Sequence, residues 1–96
     1  FTQLIDSTRW ICSINFSTQK ISKIIPCLKG SEDFALFDKD NFIQGNQSKL
    51  FNFNAATMKD WKEIADFKNQ GVSSIKRIVI NKSNSKIAFV NDVSTP

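Results

Sequence analysis

Along residues 10–16 apolar side chains fall on alternate positions: Trp10, Cys12, Ile14 and Phe16. That two-residue period predicts a strand covered on one face. Beyond Thr18-Gln19-Lys20 a second β-branched run starts at Ile21 and continues through Ile24 and Ile25. Pro26 lacks an N–H and suits the last residue of an edge strand. Arg9 to Leu28 therefore reads as a β-hairpin ended by Gly30 and Ser31. A turn centred between Gln19 and Lys20 would set Cys12 opposite Cys27.

The pattern is weaker downstream. Asp33 to Asp38 predicts a short third strand, and 39–48 is polar enough to predict a long loop around Gly45. Leu50, Phe51 and Phe53 form another short apolar patch. From 55 to 69, Met58, Trp61, Ile64, Ala65 and Phe67 come close to the three-and-four spacing of an amphipathic helix. Asn54 or Thr57 can cap its start and Gly71 can end it in a left-handed conformation. Lys59 with Glu63 and Lys62 with Asp66 would then sit one turn apart on the solvent side. A second hairpin is expected from Ser74 to Asn91, apolar on nearly consecutive residues in both arms and hence central in its sheet. Residues 1–8 read as a lead-in and 92–96 as a frayed tail, and no internal repeat stands out.

These elements predict a single α+β domain, an antiparallel sheet of four to five strands in the order ββ(β)αββ with one helix packed on one face. The expected core is Trp10, Cys12, Ile14, Phe16, Ile25, Phe34, Leu36, Phe53, Met58, Trp61, Ile64, Ala65, Ile78, Ile80, Ile87 and Phe89.

Ninety-six residues, 41% of them hydrophobic, suffice for one core and no more. Nine phenylalanines without a tyrosine make the aromatic mass a packing material. The longest apolar runs fall far short of a membrane span. The chain starts at Phe1 with no charged-then-apolar leader, so a processed product or, by preference, a domain excised from a longer protein is expected.

The net charge of +4 is unevenly spread. Residues 9–30 hold Arg9, Lys20, Lys23 and Lys29 without an acid, and 68–91 hold Lys68, Lys76, Arg77, Lys82 and Lys86 without one. The middle is net acidic. Two basic hairpins around an acidic centre point to contact with phosphate through Arg9, Lys20, Lys23, Lys76, Arg77, Lys82 and Lys86. The alternative is an ordinary solvated surface.

With no histidine in the chain, Ser-His-Asp and Cys-His catalysis are excluded. Two cysteines are too few for a structural zinc site, so no metal and no cofactor is expected. Cys12 and Cys27 are either separate reduced thiols or, in an oxidising compartment, a cross-strand disulfide. Asp38-Lys-Asp-Asn-Phe departs from a calcium loop at Phe42 and Ile43, where an oxygen ligand and a glycine belong. Asp66-Phe-Lys68 matches the end of a nuclease Asp/Glu-x-Lys signature, a strand motif here placed inside the expected helix. It reads as surface charge.

Arg9-Trp-Ile-Cys-Ser-Ile-Asn-Phe16, followed by Lys20 and Ile24-Ile25-Pro26, resembles a segment of some prokaryotic restriction-endonuclease-type proteins. In that family the segment looks like an accessory β-rich module at the end of a nuclease chain. Ser17 stands where the family has Asn, Ser13 where it often has Arg, and 31–54 has no obvious counterpart. The resemblance implies a cytoplasmic, DNA-associated setting with reduced cysteines and carries no catalytic residue onto this chain.

Two functions are therefore expected, with a third, a protein-interaction domain that pairs an exposed sheet edge with its partner, behind them. One is a non-catalytic accessory or binding module of a DNA-processing protein, with DNA or the parent nuclease chain as partner. The other is a secreted or periplasmic small binding protein of inhibitor or immunity type, with a Cys12–Cys27 disulfide and an acidic protein partner. No membrane is involved in either, and an enzyme acting alone is the least expected outcome.

Overall fold

A computed structural model describes residues 1–81, 83 and 85–92 and is almost entirely β. Its strands are β1 (Thr2–Ile5), β2 (Thr8–Ile14), β3 (Ile21–Pro26), β4 (Phe34–Leu36), β5 (Asn41–Asn46), β6 (Lys49–Asn54), β7 (Lys62–Asp66), β8 (Ile75–Ile80) and β9 (Ile87–Asn91). All pairings are antiparallel between neighbours in sequence. They form three separate sheets, β1-β2-β3, β4-β5-β6-β7 and β8-β9. Among the described residues no helix is long and apolar enough to cross a membrane.

The expected α+β architecture is overturned, because the helix over 55–69 does not form. Asn54 does act as a cap: its side-chain oxygen accepts the N–H groups of Ala56 and Thr57, at 2.9 and 3.1 Å. Its carbonyl also accepts Met58 N–H. That single turn is not continued, and 62–66 pairs with β6 as β7 instead. The apolar residues that mimicked a helical stripe divide between two cores. Met58 and Trp61 turn to the first sheet, while Ala65 and Phe67 turn to the third, and Ile64 is exposed. Lys49 bonds Glu63 across the β6–β7 pair at 3.1 Å, in place of the expected Lys59–Glu63 pair. Gly71 is left-handed at φ 81°, but it closes a 3-10 turn over Lys68–Gln70.

Two further expectations are corrected. Residues 41–46, expected in a loop, form β5, the most buried strand of the molecule, with 42–45 all buried. Hairpin Ser74 to Asn91 is not central but an end sheet of two strands. The third short strand, Leu50–Phe53 within β6, and Pro26 at the end of an edge strand are found as expected.

The middle sheet is packed on both faces. Phe42 and Phe53 meet Ile11 and Ile25 of the first sheet, with Trp61 edge-on to Phe53 at 5.4 Å. Ile43 and Leu50 on the other face meet Ile75 and Ile78 of the third. Of the eight fully buried members of these two clusters, only Ile25, Phe53 and Ile78 were in the expected core. Ile14, Leu36 and Ile64 are exposed instead, because they lie on faces that no sheet covers, and Phe16 is exposed because β2 ends at Ile14 and leaves it in the turn to β3.

The same unit occurs again at an offset of 41 residues, which corrects the reading that the chain has no internal repeat. Strand starts advance from 8 to 49, from 21 to 62 and from 34 to 75. Phe1, Gln3 and Gly30 reappear as Phe42, Gln44 and Gly71, and both glycines are left-handed. The two-residue turns at 6–7 and 47–48 also correspond, with positive φ at Asp6, Ser7 and Gln47. Each unit carries a bulge where its last two strands pair, between Ile11 and Cys12 and between Leu50 and Phe51. So few side chains recur that the period is hard to see without the backbone.

Candidate functional site

The segments that join one sheet to the next gather at one end of the molecule. The 27–33 linker leads from β3 to β4, and 67–74 leads from β7 to β8. The β5–β6 turn lies between them: Asn46 Nδ2 donates to Lys29 O at 2.9 Å, and Ile75 N–H donates to Gln47 O at 2.8 Å. Ser31, itself buried, donates from Oγ to Gly45 O at 2.7 Å. Gly45 has to be glycine because a Cβ there would fall 2.5 Å from Ile75 Cγ2.

Gln44 holds the first linker from beneath. Its side chain is fully buried, accepts Leu28 N–H at 2.8 Å and donates to Asp33 O at 3.3 Å. A buried amide with both ends satisfied locks its surroundings, whereas leaving those backbone groups unpaired would cost about 1–3 kcal/mol.

Two clefts flank this linker. The first, about 470 Å³, lies between the linker, the β5–β6 turn and the start of β8. It presents Lys29 and Lys76 beside Glu32 and Asp33. The second, about 540 Å³, lies toward the β1–β2 turn and includes Leu4, Arg9 and Leu28. Arg9 Nη2 reaches Glu32 Oε1 at 3.3 Å across it. Lys29, Gly30, Ser31 and Glu32 line both clefts. Asp33 Oδ2 accepts the backbone N–H of Arg77 at 3.1 Å, and Arg77 occupies a positive φ of 53° at the bulge in β8. The linker carboxylate therefore helps hold a strained strand residue.

The residues expected to meet phosphate do not form one patch, although Arg9 and Lys76 both flank the linker. Arg9 is beside the linker, whereas Lys20 lies in the β2–β3 turn at the far end of a seven-residue strand. Lys23 has its ammonium 4.8 Å from the Trp10 ring centre, a cation–π contact on the first sheet. Lys76 and Arg77 belong to β8 in the third sheet, with the middle sheet between them and Lys23. Lys86 precedes β9 beside Ile80 and Ile87. Lys82 lies outside the described residues.

Neither is Cys12 opposite Cys27. The hairpin register pairs Cys12 with Lys23 and Trp10 with Pro26 because the turn centres earlier than expected. Cys27 N–H donates to Arg9 O at 2.9 Å, so the two cysteines are three residues out of step, roughly 10 Å along the strand. A disulfide requires Cα atoms within about 7 Å. Both thiols are free. Burial pushes the Cys27 thiol up, which keeps it protonated at neutral pH, despite the Gln44 contact acting the other way.

The two acidic motifs are structural. Asp38 accepts the N–H groups of Asp40 and Asn41 and the amide of the Asn41 side chain, which hold its carboxyl below the ordinary range. Asp66 accepts Ser48 O–H at 2.7 Å and Lys68 N–H at 3.0 Å, and is lowered for that reason. Among the described residues no three Cys, Asp or Glu side chains stand close enough to hold a metal ion.

The linker went unnoticed in the sequence because Lys29 to Asp33 carries no motif, and Gly30 with Ser31 marked it only as the end of a hairpin. Compared with family models, curated proteins and solved structures, the chain matches none of them.

Proposed function

We propose that this chain is a non-catalytic recognition module that binds an extended polypeptide across the loop end, over Lys29–Asp33. The observation that supports it is the pair of clefts sharing one linker, lined by both signs of charge. Arg9, Lys29 and Lys76 alternate there with Glu32 and Asp33. A polyanion meets mixed charge poorly, because each carboxylate repels it, whereas a peptide carrying acidic and basic residues can pair with both. Ser31 and Gln44 hold the linker rigid, which lowers the ordering cost of binding. The free thiols suit a reducing compartment, so a cytoplasmic setting is part of the proposal.

The expected module of a DNA-processing protein is the competing proposal. It rests on the exposed Lys20 and on the Lys23–Trp10 pair in the first hairpin. One titration separates the two. Amide resonances are followed while a mixed-charge peptide library and, separately, a duplex oligonucleotide are added at low salt. Shifts confined to 29–33, Gln47 and 74–76 with peptide support recognition at the loop end. Shifts at Lys20 and Lys23 with DNA, weakening steeply with salt, would replace that reading by the phosphate one.

A further inference from the structure

The register of the third sheet repeats that of the second. Phe34 pairs with Gln44 and Ala35 with Ile43 in the middle sheet; Ile75 pairs with Asn91 and Lys76 with Val90 in the third. Asn91 thus stands at the position of Gln44, and Phe89 at that of Phe42. The chemistry agrees with the register. Asn91 Oδ1 accepts Ser73 and Ser74 N–H, and its Nδ2 donates to Gly71 O, so it clamps the second linker as Gln44 clamps the first. Phe89 packs into the core between the second and third sheets, as Phe42 packs into the core between the first and second.

The difference lies at the next strand. β5 is paired on both edges, by β4 and β6, whereas among the described residues β9 is paired by β8 alone. Asp92 N–H donates to Ser74 O, and Asn81 N–H donates to Lys86 O. By the alternation of an antiparallel ladder, Val90 and Ala88 then bond toward β8, and Ile87, Phe89 and Asn91 turn their backbone groups outward. In the middle sheet the corresponding groups of Phe42 and Gln44 are taken by Phe53 and Phe51 of β6. A row of unpaired groups on an apolar strand is a ready template for another strand.

We propose that the free edge of β9 is the seat of a two-stranded antiparallel hairpin built like β6–β7, which completes a third four-stranded sheet. Its first strand places a buried apolar residue opposite Phe89, as Phe53 stands opposite Phe42 and Cys12 opposite Phe1. Four-stranded sheets repeated at about 40–45 residues and packed face to face form the radial arrays of β-propellers. The 41-residue period and the doubly covered middle sheet fit that arrangement.

The chain supplies its own probe. Gln44 and Asn91 are 47 positions apart, and by that offset position 49 falls at 96. Residues 50–67 appended after Pro96 therefore enter in the register of β6 and β7. Hydrogen exchange is compared between the natural chain, this extended chain and one carrying a scrambled extension of equal length and composition. The proposal expects the amides of Ile87, Phe89 and Asn91 to slow by about tenfold or more in the first extension only. Equal exchange in all three chains overturns it, as does equal protection by the scrambled extension. Protection of these amides in the unextended chain that grows with protein concentration also overturns it, by making a second copy the occupant. Phe89→Ala in the extended chain should remove the protection while β5 and β6 stay protected.

Discussion

Equivalent residues of the repeated unit meet different surroundings in the middle sheet and in its neighbours. Phe42 is 4% exposed and its counterpart Phe1 is 47% exposed; Ile43 is 5% exposed and its counterpart Val90 is 48% exposed. Gln44 is fully buried beneath its linker, while Gln3 is exposed. Side chains of nearly the same chemistry are core in one place and surface in the other. Burial of these pairs follows whether a sheet lies on each side, and among the described residues only the middle sheet has both.

That contrast can be broken by substitution, and the largest effect is expected at the aromatic pair. Phe42→Ala should destabilise the fold by about 3–5 kcal/mol and Phe1→Ala by less than about 1 kcal/mol, read by urea unfolding. Similar losses at the two positions would refute the idea that covering sheets make the difference. Next come the glycines. Gly45→Ala forces a methyl group into Ile75 and should cost about 1–3 kcal/mol. Gly71→Ala meets no atom within 4 Å, so only its left-handed backbone is strained, at about 1 kcal/mol. The amides should follow the same order. Gln44→Ala leaves Leu28 N–H and Asp33 O unpaired, for about 1–3 kcal/mol, and Gln3→Ala should fall within about 0.5 kcal/mol of the natural chain.

The smallest effect is electrostatic. Asp66 is held below its ordinary value by Ser48 and Lys68, so its contribution is fully present above the unfolded value of about 3.9. It is lost as pH falls through the lowered native value. Asp66→Asn should therefore destabilise at neutral pH, and the difference from the natural chain should shrink toward about pH 2. A difference that stays constant across that range would show that the hydrogen-bond geometry, not the charge, matters.

How much of this was legible beforehand varies by element. The first hairpin was, because Trp10 to Phe16 alternates and β-branched residues return after a polar turn. Its register was not, since nothing local ties the turn to Gln19 and Lys20; Asn15 sets it by accepting Ser17 and Thr18 N–H. The helix over 55–69 failed because period alone cannot separate one apolar stripe from residues shared between two cores. Strand β5 was missed because Gln44, Gly45 and Asn46 look like loop residues. They are polar or small for tertiary reasons: the amide grips a linker, and the glycine admits Ile75. The candidate loop end was hidden for the same reason, because Gln44, Ser31 and Asn46 bond to backbone groups far away in the chain, which no local pattern marks.

The sequence by itself determined that this chain builds antiparallel β-structure with Phe and Ile as its packing residues, because alternation and β-branching are local properties. It also determined which chemistry is missing, since a chain without histidine cannot supply that imidazole. Which strand faces which, and hence whether a Phe is core or surface, was decided by the tertiary structure alone. Sheets packed on both faces select their neighbours through contacts between units far apart in the chain. The 41-residue recurrence became visible only when the backbone showed strand starts, tight turns and left-handed glycines returning in step, while most side chains around them had changed.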